Sequence, residues 1–421
     1  MRESLRFVIV GHVDHGKSTL IGRLLYDTGS IALDRLEEAR HAARELGAEA
    51  EFAFLLDHLQ EEREGALTID TAQTFFSTPK RDYVLIDAPG HVEFLKNMIT
   101  GAAQADAAVL IVDASRGIEV QTRRHAYLLA LLGLEEVIVA LNKMDLVGYR
   151  EGAFREASEA VRGLLESVAI TARSYIPISA KRGDNIADPS RAMSWYRGPT
   201  LLGALDSLEE RSPPQDKPLV FPIQDVYHHD GERIAVGRVE AGVLRKGDKI
   251  KLLPRGELAT VDSIKKFLEE PRAAYPGESI GITLTVGSRP SVPLLERGQV
   301  VCRPGAEPNL TDRFKANVFW LAEKGLGRGE RVTLRSVTQA VSARLEAISE
   351  KLDSASLEVL GREAPTLEQL EVGRVIVKTD SPVVVARFAE LQGLGRFVLA
   401  RGEEISAGGI ITGLDGPEEV E

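Results

Sequence analysis

The chain has 421 residues, of which 43% are hydrophobic and 27% charged, and its formal net charge is −11. That length is too great for one core and predicts two or three domains of an ordinary globular protein, while the acidic balance excludes a generally basic nucleic-acid coat. The single cysteine, Cys302, excludes an intramolecular disulfide and fits a reducing cytoplasm.

The chain opens MRESLRFVIV. Its apolar run is too short for a secretory leader, and no later run approaches about 18 apolar residues, so a soluble cytoplasmic protein without a membrane span is expected. Phe7–Val10 reads as a buried strand. Directly after it stands Gly11-His12-Val13-Asp14-His15-Gly16-Lys17-Ser18-Thr19. The frame G-x-x-x-x-G-K-[ST] between a strand and a helix is a phosphate-binding loop. Gly11 and Gly16 let the backbone wrap around phosphate, and the helix behind them points its N-terminus at the charge. Lys17 is placed to reach the β- and γ-phosphates and Ser18 to bind Mg²⁺ through its hydroxyl. Val13, Asp14, His15, Gly16, Lys17, Ser18 and Thr19 are thus the candidate phosphate contacts. In such a loop the backbone does the binding, so His12 and His15 are assigned structural or solvated roles.

Further apolar runs at Tyr83–Ile86, Val109–Val112, Val137–Leu141 and Tyr175–Ile178 read as buried parallel strands. Helical patterns lie between them, as in Phe154, Ala157, Val161, Leu164, Leu165 and Val168. The alternation predicts an α/β phosphate-loop domain with a doubly wound, mostly parallel sheet over residues 1–210. Three segments close its strands. Asp87-Ala88-Pro89-Gly90-His91 offers Asp87 to Mg²⁺, through water, and the Gly90 N–H to a γ-phosphate. Asn142-Lys143-Met144-Asp145 offers a carboxylate, Asp145, that accepts from both N1–H and the N2 amine of guanine, with Asn142 bracing the loop and Lys143 lying along the base. Ser179-Ala180-Lys181 can offer N–H groups to guanine O6. All sit where an open α/β sheet places its ligand. GTP, GDP and Mg²⁺ are the expected ligands.

Ser212-Pro213-Pro214-Gln215 reads as a linker. Beyond it, short β-rich runs separated by Gly and Pro predict one small β-barrel over 216–308, with Ala235–Val239, Gly247–Ile250 and Ala259–Val261, and a second over 311–416, with Lys315–Leu321, Arg331–Arg335, Val375–Val377 and Val383–Arg387. His228-His229 precedes Asp230-Gly231 and reads as a solvated hairpin turn rather than a metal site.

The segments GHVDHGKST, DAPGH, NKMD and SAK together resemble the translation-factor family of GTPases. That resemblance implies a switch at Glu62–Asp70, in which Thr68 closes on Mg²⁺ and the γ-phosphate. It implies His91 as the catalytic histidine and an apolar pair, Val13 and Leu67, beside it. The long region from Tyr26 to the switch includes an expected amphipathic helix with Leu36, Ala39, Ala43 and Leu46. With Thr74–Thr78, Gln121–His125, Trp195–Leu202, Asn317–Leu321 and Ala343–Ile348, it resembles the GTPase subunit of bacterial sulfate adenylyltransferase. The resemblance implies that GTP hydrolysis drives adenylyl transfer from ATP to sulfate on a small partner subunit. Two alternatives stand beside it: an elongation-factor-like carrier of aminoacyl-tRNA, and a regulatory GTPase with another partner. Phe221–Tyr227 and Val236–Glu240 resemble archaeal-type elongation factors. Against a tRNA role, residues 311–421 contain no histidine and hold 14 Lys and Arg against 18 Asp and Glu, so they offer no general attraction for RNA phosphates.

Overall fold

A computed structural model describes residues 4–31, 73–87, 105–134, 136–208, 215–229, 231–266, 269–285, 295–356 and 358–414. The chain divides into two compact units, one formed by the N-terminal half and one by the β-rich C-terminal half. The first is built on a sheet of six strands: β1 (Ser4–Val10), β2 (Gln73–Ser77), β3 (Asp82–Asp87), β4 (Ala107–Asp113), β5 (Val137–Asn142) and β6 (Ser174–Pro177). Their order across the sheet is β2-β3-β1-β4-β5-β6. All neighbours run parallel except β2, which pairs antiparallel with β3 at the edge. The five apolar runs form β1 and β3 to β6 because those strands are covered on both faces; every residue of β4 and β5 is buried.

Helix α1 (Lys17–Asp27) follows β1, α2 (Val120–Leu131) follows β4, and α3 (Glu151–Ser167) lies between β5 and β6. A short α4 (Leu201–Ser207) ends the unit, its first N–H groups capped by Thr200, whose side chain accepts from Gly203 N at 3.1 Å. The periodic residues expected for α3 form its inner face, with Ala157, Val161, Leu164 and Leu165 buried. Because β1 and β3 to β6 run in one direction, the residues at their C-terminal ends, Gly11, Asp87, Asp113, Asn142 and Ser179, share one edge of the sheet.

In the second unit, strands at 220–229, 232–238, 249–253, 257–265, 279–285 and 300–302 close into a barrel. Phe221, Ile223, Ile250, Leu252, Val261, Ile282 and Val301 fill it. His228 and His229 end its first hairpin, paired with Arg233 and Glu232, which leaves the histidine pair in the solvated position expected for a turn. Cys302 is fully buried, its Sγ 3.5 Å from Lys251 O, and burial pushes its thiol up to about 11. The strands at 309–320, 331–336, 339–353, 371–385, 396–401 and 404–414 form a second sheet, closed by pairing of 331–336 with 339–353. Its core holds Phe314, Trp320, Leu334, Leu345, Val377, Phe397 and Leu399. Closure leaves few free strand edges. Of the expected linker only Gln215 lies within the described residues, and the expected helix around Leu36–Leu46 lies outside them. Among the described residues no helix is long and apolar enough to cross a membrane.

Candidate functional site

The chain leaves β1 through Gly11, where a Cβ would lie 2.4 Å from the Ile111 carbonyl oxygen of β4. It enters α1 through Gly16, whose φ of +94° suits glycine and where a Cβ would lie 2.4 Å from Asn142 Nδ2. Both glycines of the motif are therefore required by shape. Helix α1 begins at Lys17, so its unpaired N–H groups border the loop. Lys17 Nζ donates to Gly11 O at 2.8 Å and to His12 O at 3.2 Å, folding the ammonium back over the loop. Burial lowers the Lys17 pKa, opposed by the nearby carboxylates of Asp87 and Asp14. Val13 is 44% exposed and Asp14 sits at φ 64° on the outer turn of the loop.

His15 is fully buried. Its Nε2–H donates to Glu119 Oε2 at 2.7 Å, and Nδ1 lies 3.3 Å from Ile111 O. His12 Nε2 is 3.5 Å from the same Glu119 oxygen, and the two rings are 5.3 Å apart. Burial lowers the His15 pKa, against the raising effect of Glu119. The backbone of the same residue is held from the other side, since Asn142 Nδ2 donates to His15 O at 2.9 Å.

Asn142 also accepts from Ala180 N at 2.9 Å, so one amide ties the phosphate loop to the segment after β6. Asp145 stands in a short helical turn after β5, reached through Lys143 at φ 61°. Its Oδ1 accepts from Ser179 Oγ at 2.7 Å, which fixes the carboxylate beside that segment. Lys143 Nζ pairs with Asp113 Oδ2 at 2.9 Å. Asp113 is buried, which alone would raise its pKa; bonds from Ser115 and Lys143 prevail and hold it below the usual range. In the segment expected to offer N–H groups to guanine O6, Ser179 N donates to Asp184 O and Ala180 N to Asn142 Oδ1.

Asp113 and Glu119 were not singled out from the sequence. Asp113 carries the signal of a carboxylate closing a buried strand at the ligand edge. Glu119 carries only that of a helix-capping position three residues before Thr122, to whose Oγ1 its N–H donates at 3.4 Å.

The arrangement suits a guanine nucleotide and a hard divalent cation. Ser18 and Asp87 supply oxygen donors, and Asp87 is close enough to Lys17 to act on its charge. The remaining expected residues, Leu67 and Thr68 of the switch, Gly90 and His91, lie outside the described residues.

Residues 2–211 match the family described as Elongation factor Tu GTP binding domain. Residues 232–302 match Elongation factor Tu domain 2, and residues 313–412 match the GTP-eEF1A C-terminal domain-like family. Elongation factor 1-alpha of Archaeoglobus fulgidus is 40% identical over 416 residues, covering 97% of this chain and 98% of that protein. The corresponding proteins of Saccharolobus solfataricus and Methanopyrus kandleri are also 40% identical, each over 97% of this chain and covering 96% and 97% of their own. The chain uses GTP and GDP with Mg²⁺, and its N-terminal domain is a GTPase.

These likenesses overturn the resemblance to a sulfate adenylyltransferase subunit, and with it the expected small ATP-sulfurylase partner. The structure explains why that resemblance misled. Gln121–His125 forms the first turns of α2, where Thr122 and His125 are wholly buried. Trp195 and Tyr196 pack on Phe154 of α3 at 5.4 and 6.0 Å, and Val318, Phe319 and Trp320 are buried in the last barrel. These residues pack within the fold and carry no information about a partner.

Proposed function

The chain belongs to the elongation factor 1-alpha family of translation GTPases, and from that premise we propose that it binds aminoacyl-tRNA in its GTP state and delivers it to the ribosome in the cytoplasm. The observation that carries the proposal is the continuity of the likeness, at 40% identity, through both barrels as well as the GTPase domain. A shared GTPase domain alone would leave the cargo open. The net negative charge of residues 311–421 does not oppose this reading, because a local patch suffices for RNA where bulk charge does not attract it.

In this proposal Asp145 reads the guanine, the α1 N-terminus and Lys17 hold the phosphates, and Ser18, Thr68 and Asp87 hold Mg²⁺. Mg²⁺ supplies charge neutralisation on the β- and γ-phosphates. Gly90 senses the γ-phosphate through its N–H, and His91 positions the attacking water. The cargo is released because the GTP and GDP states contact it differently.

The test is protection of the aminoacyl ester. The GTP-loaded chain is expected to slow spontaneous deacylation of aminoacyl-tRNA at least about tenfold more than the GDP-loaded chain, the ratio that ~1.4 kcal/mol of differential binding gives. Deacylated tRNA should not compete. Equal deacylation rates in the two nucleotide states would reject the carrier reading.

A further inference from the structure

Two grips converge on one residue of the phosphate loop. Asn142 holds the His15 backbone from the base-reading side, and Glu119 holds its side chain from the start of α2. The second grip is built with care. The His15 ring is fully buried, and its short bond to Glu119 Oε2 fixes the proton on Nε2. The same oxygen faces His12 Nε2. Glu119 thus meets both histidines of GHVDH through a single carboxylate oxygen, while its own backbone sits at the helix cap.

The segment that carries Glu119 is anchored at its other end too. Six residues earlier Asp113 closes β4 and pairs with Lys143 of the base-reading turn. Residues 113–119 therefore bridge the two halves of the nucleotide site, one end on the base side and one on the phosphate side. From this we infer that Glu119 is a positioning residue for the bound nucleotide: its carboxylate clamps the phosphate loop through His15 and His12 and so sets how long GDP and GTP stay bound. The inference needs only the guanine-nucleotide site and stands apart from the tRNA reading.

The physical argument is one of flexibility. Phosphate is held largely by backbone N–H groups, so affinity depends on those groups staying aligned. A loop residue fixed by a charge-assisted hydrogen bond to a helix cap loses that freedom before ligand arrives, and less ordering cost falls on binding. Releasing the clamp leaves every direct phosphate contact in place yet lets the loop open.

Dissociation of a fluorescent GDP analogue, chased with excess GDP, tests the inference. Glu119→Ser keeps a good helix cap but is too short to reach His15. It is expected to accelerate release about tenfold, the scale of one charge-assisted hydrogen bond. Glu119→Ala should match it, and Glu119→Gln, which still accepts from Nε2–H but without the charge, should fall between the unmodified rate and that of Glu119→Ser. Thr200→Ala removes a helix cap elsewhere in the same domain and should leave release unchanged. An unmodified rate in Glu119→Ser would overturn the clamp, since the residue would then act only as a cap. An equal acceleration in Thr200→Ala would also overturn it, since the effect would then be general loosening.

Discussion

Replacing Asp145 with Asn is expected to lower GTP affinity roughly 10²–10⁴-fold and to make xanthosine triphosphate the preferred nucleotide. Guanine presents two donors on one edge, N1–H and the N2 amine, and a single carboxylate can accept from both. Hydrogen bonds to a charged group contribute about 1.5–3 kcal/mol each, so losing a matched pair spans that range. Xanthine carries an oxygen in place of the amine. An Asn amide accepts from N1–H with its oxygen and donates to that oxygen with its nitrogen. Ser179 Oγ, which donates to Asp145 Oδ1 at 2.7 Å, orients the group in either case. Competition between guanosine and xanthosine nucleotides measures the effect directly. A variant that keeps its preference for GTP would remove Asp145 from the base-reading role.

His91→Ala is expected to lower stimulated GTP turnover roughly 10²–10⁴-fold, the scale for losing a positioned acid–base group. Affinity for GTP should barely change, because the imidazole makes no ground-state phosphate contact in this reading. Phosphoryl transfer needs its water placed and its charge stabilised more than it needs covalent help. His91 follows Gly90 directly, which is the placement that suits this task. His15 cannot substitute, since its ring is sealed between Glu119 and Ile111 O. His15→Ala should instead weaken nucleotide binding at least as much as it slows turnover. Single-turnover hydrolysis at saturating GTP separates the two. If His91→Ala hydrolyses at the unmodified rate and His15→Ala binds normally but does no chemistry, the roles are reversed.

The sheet of the GTPase domain was legible because four of its parallel strands are short apolar runs and β1 ends in one. Strand β2 was not. Its burial alternates along the strand, but the outward position 75 holds a phenylalanine that is 65% exposed and the inward position 74 a threonine, so the residue types carry no alternation. The strand at 339–353 hid for another reason. Its pairing with 371–385 shifts register after Leu345 and again after Ile348, and each irregularity breaks the period of two. Asn142, Lys143 and Asp145 were readable since each lies within a short motif. Asp113 and Glu119 join the site only through parallel strands brought together from distant parts of the chain, which no local spacing records. The cargo was misread because Thr122, His125 and Trp320 are buried inside the fold and half-buried Trp195 packs on Phe154, so they say nothing about a partner.

The buried thiol gives an experimental opening. Cys302 is the chain's sole cysteine, fully covered and held in its protonated form near neutral pH. Thiol-directed dyes and spin labels will therefore find no native target in the folded protein. A cysteine introduced on the exposed face of α3, at Glu156, and another at exposed Leu258 of the first barrel become a clean pair of attachment points. The separation of the GTPase domain from the barrels could then be followed in solution as GTP gives way to GDP, with no background to subtract and no native cysteine to remove.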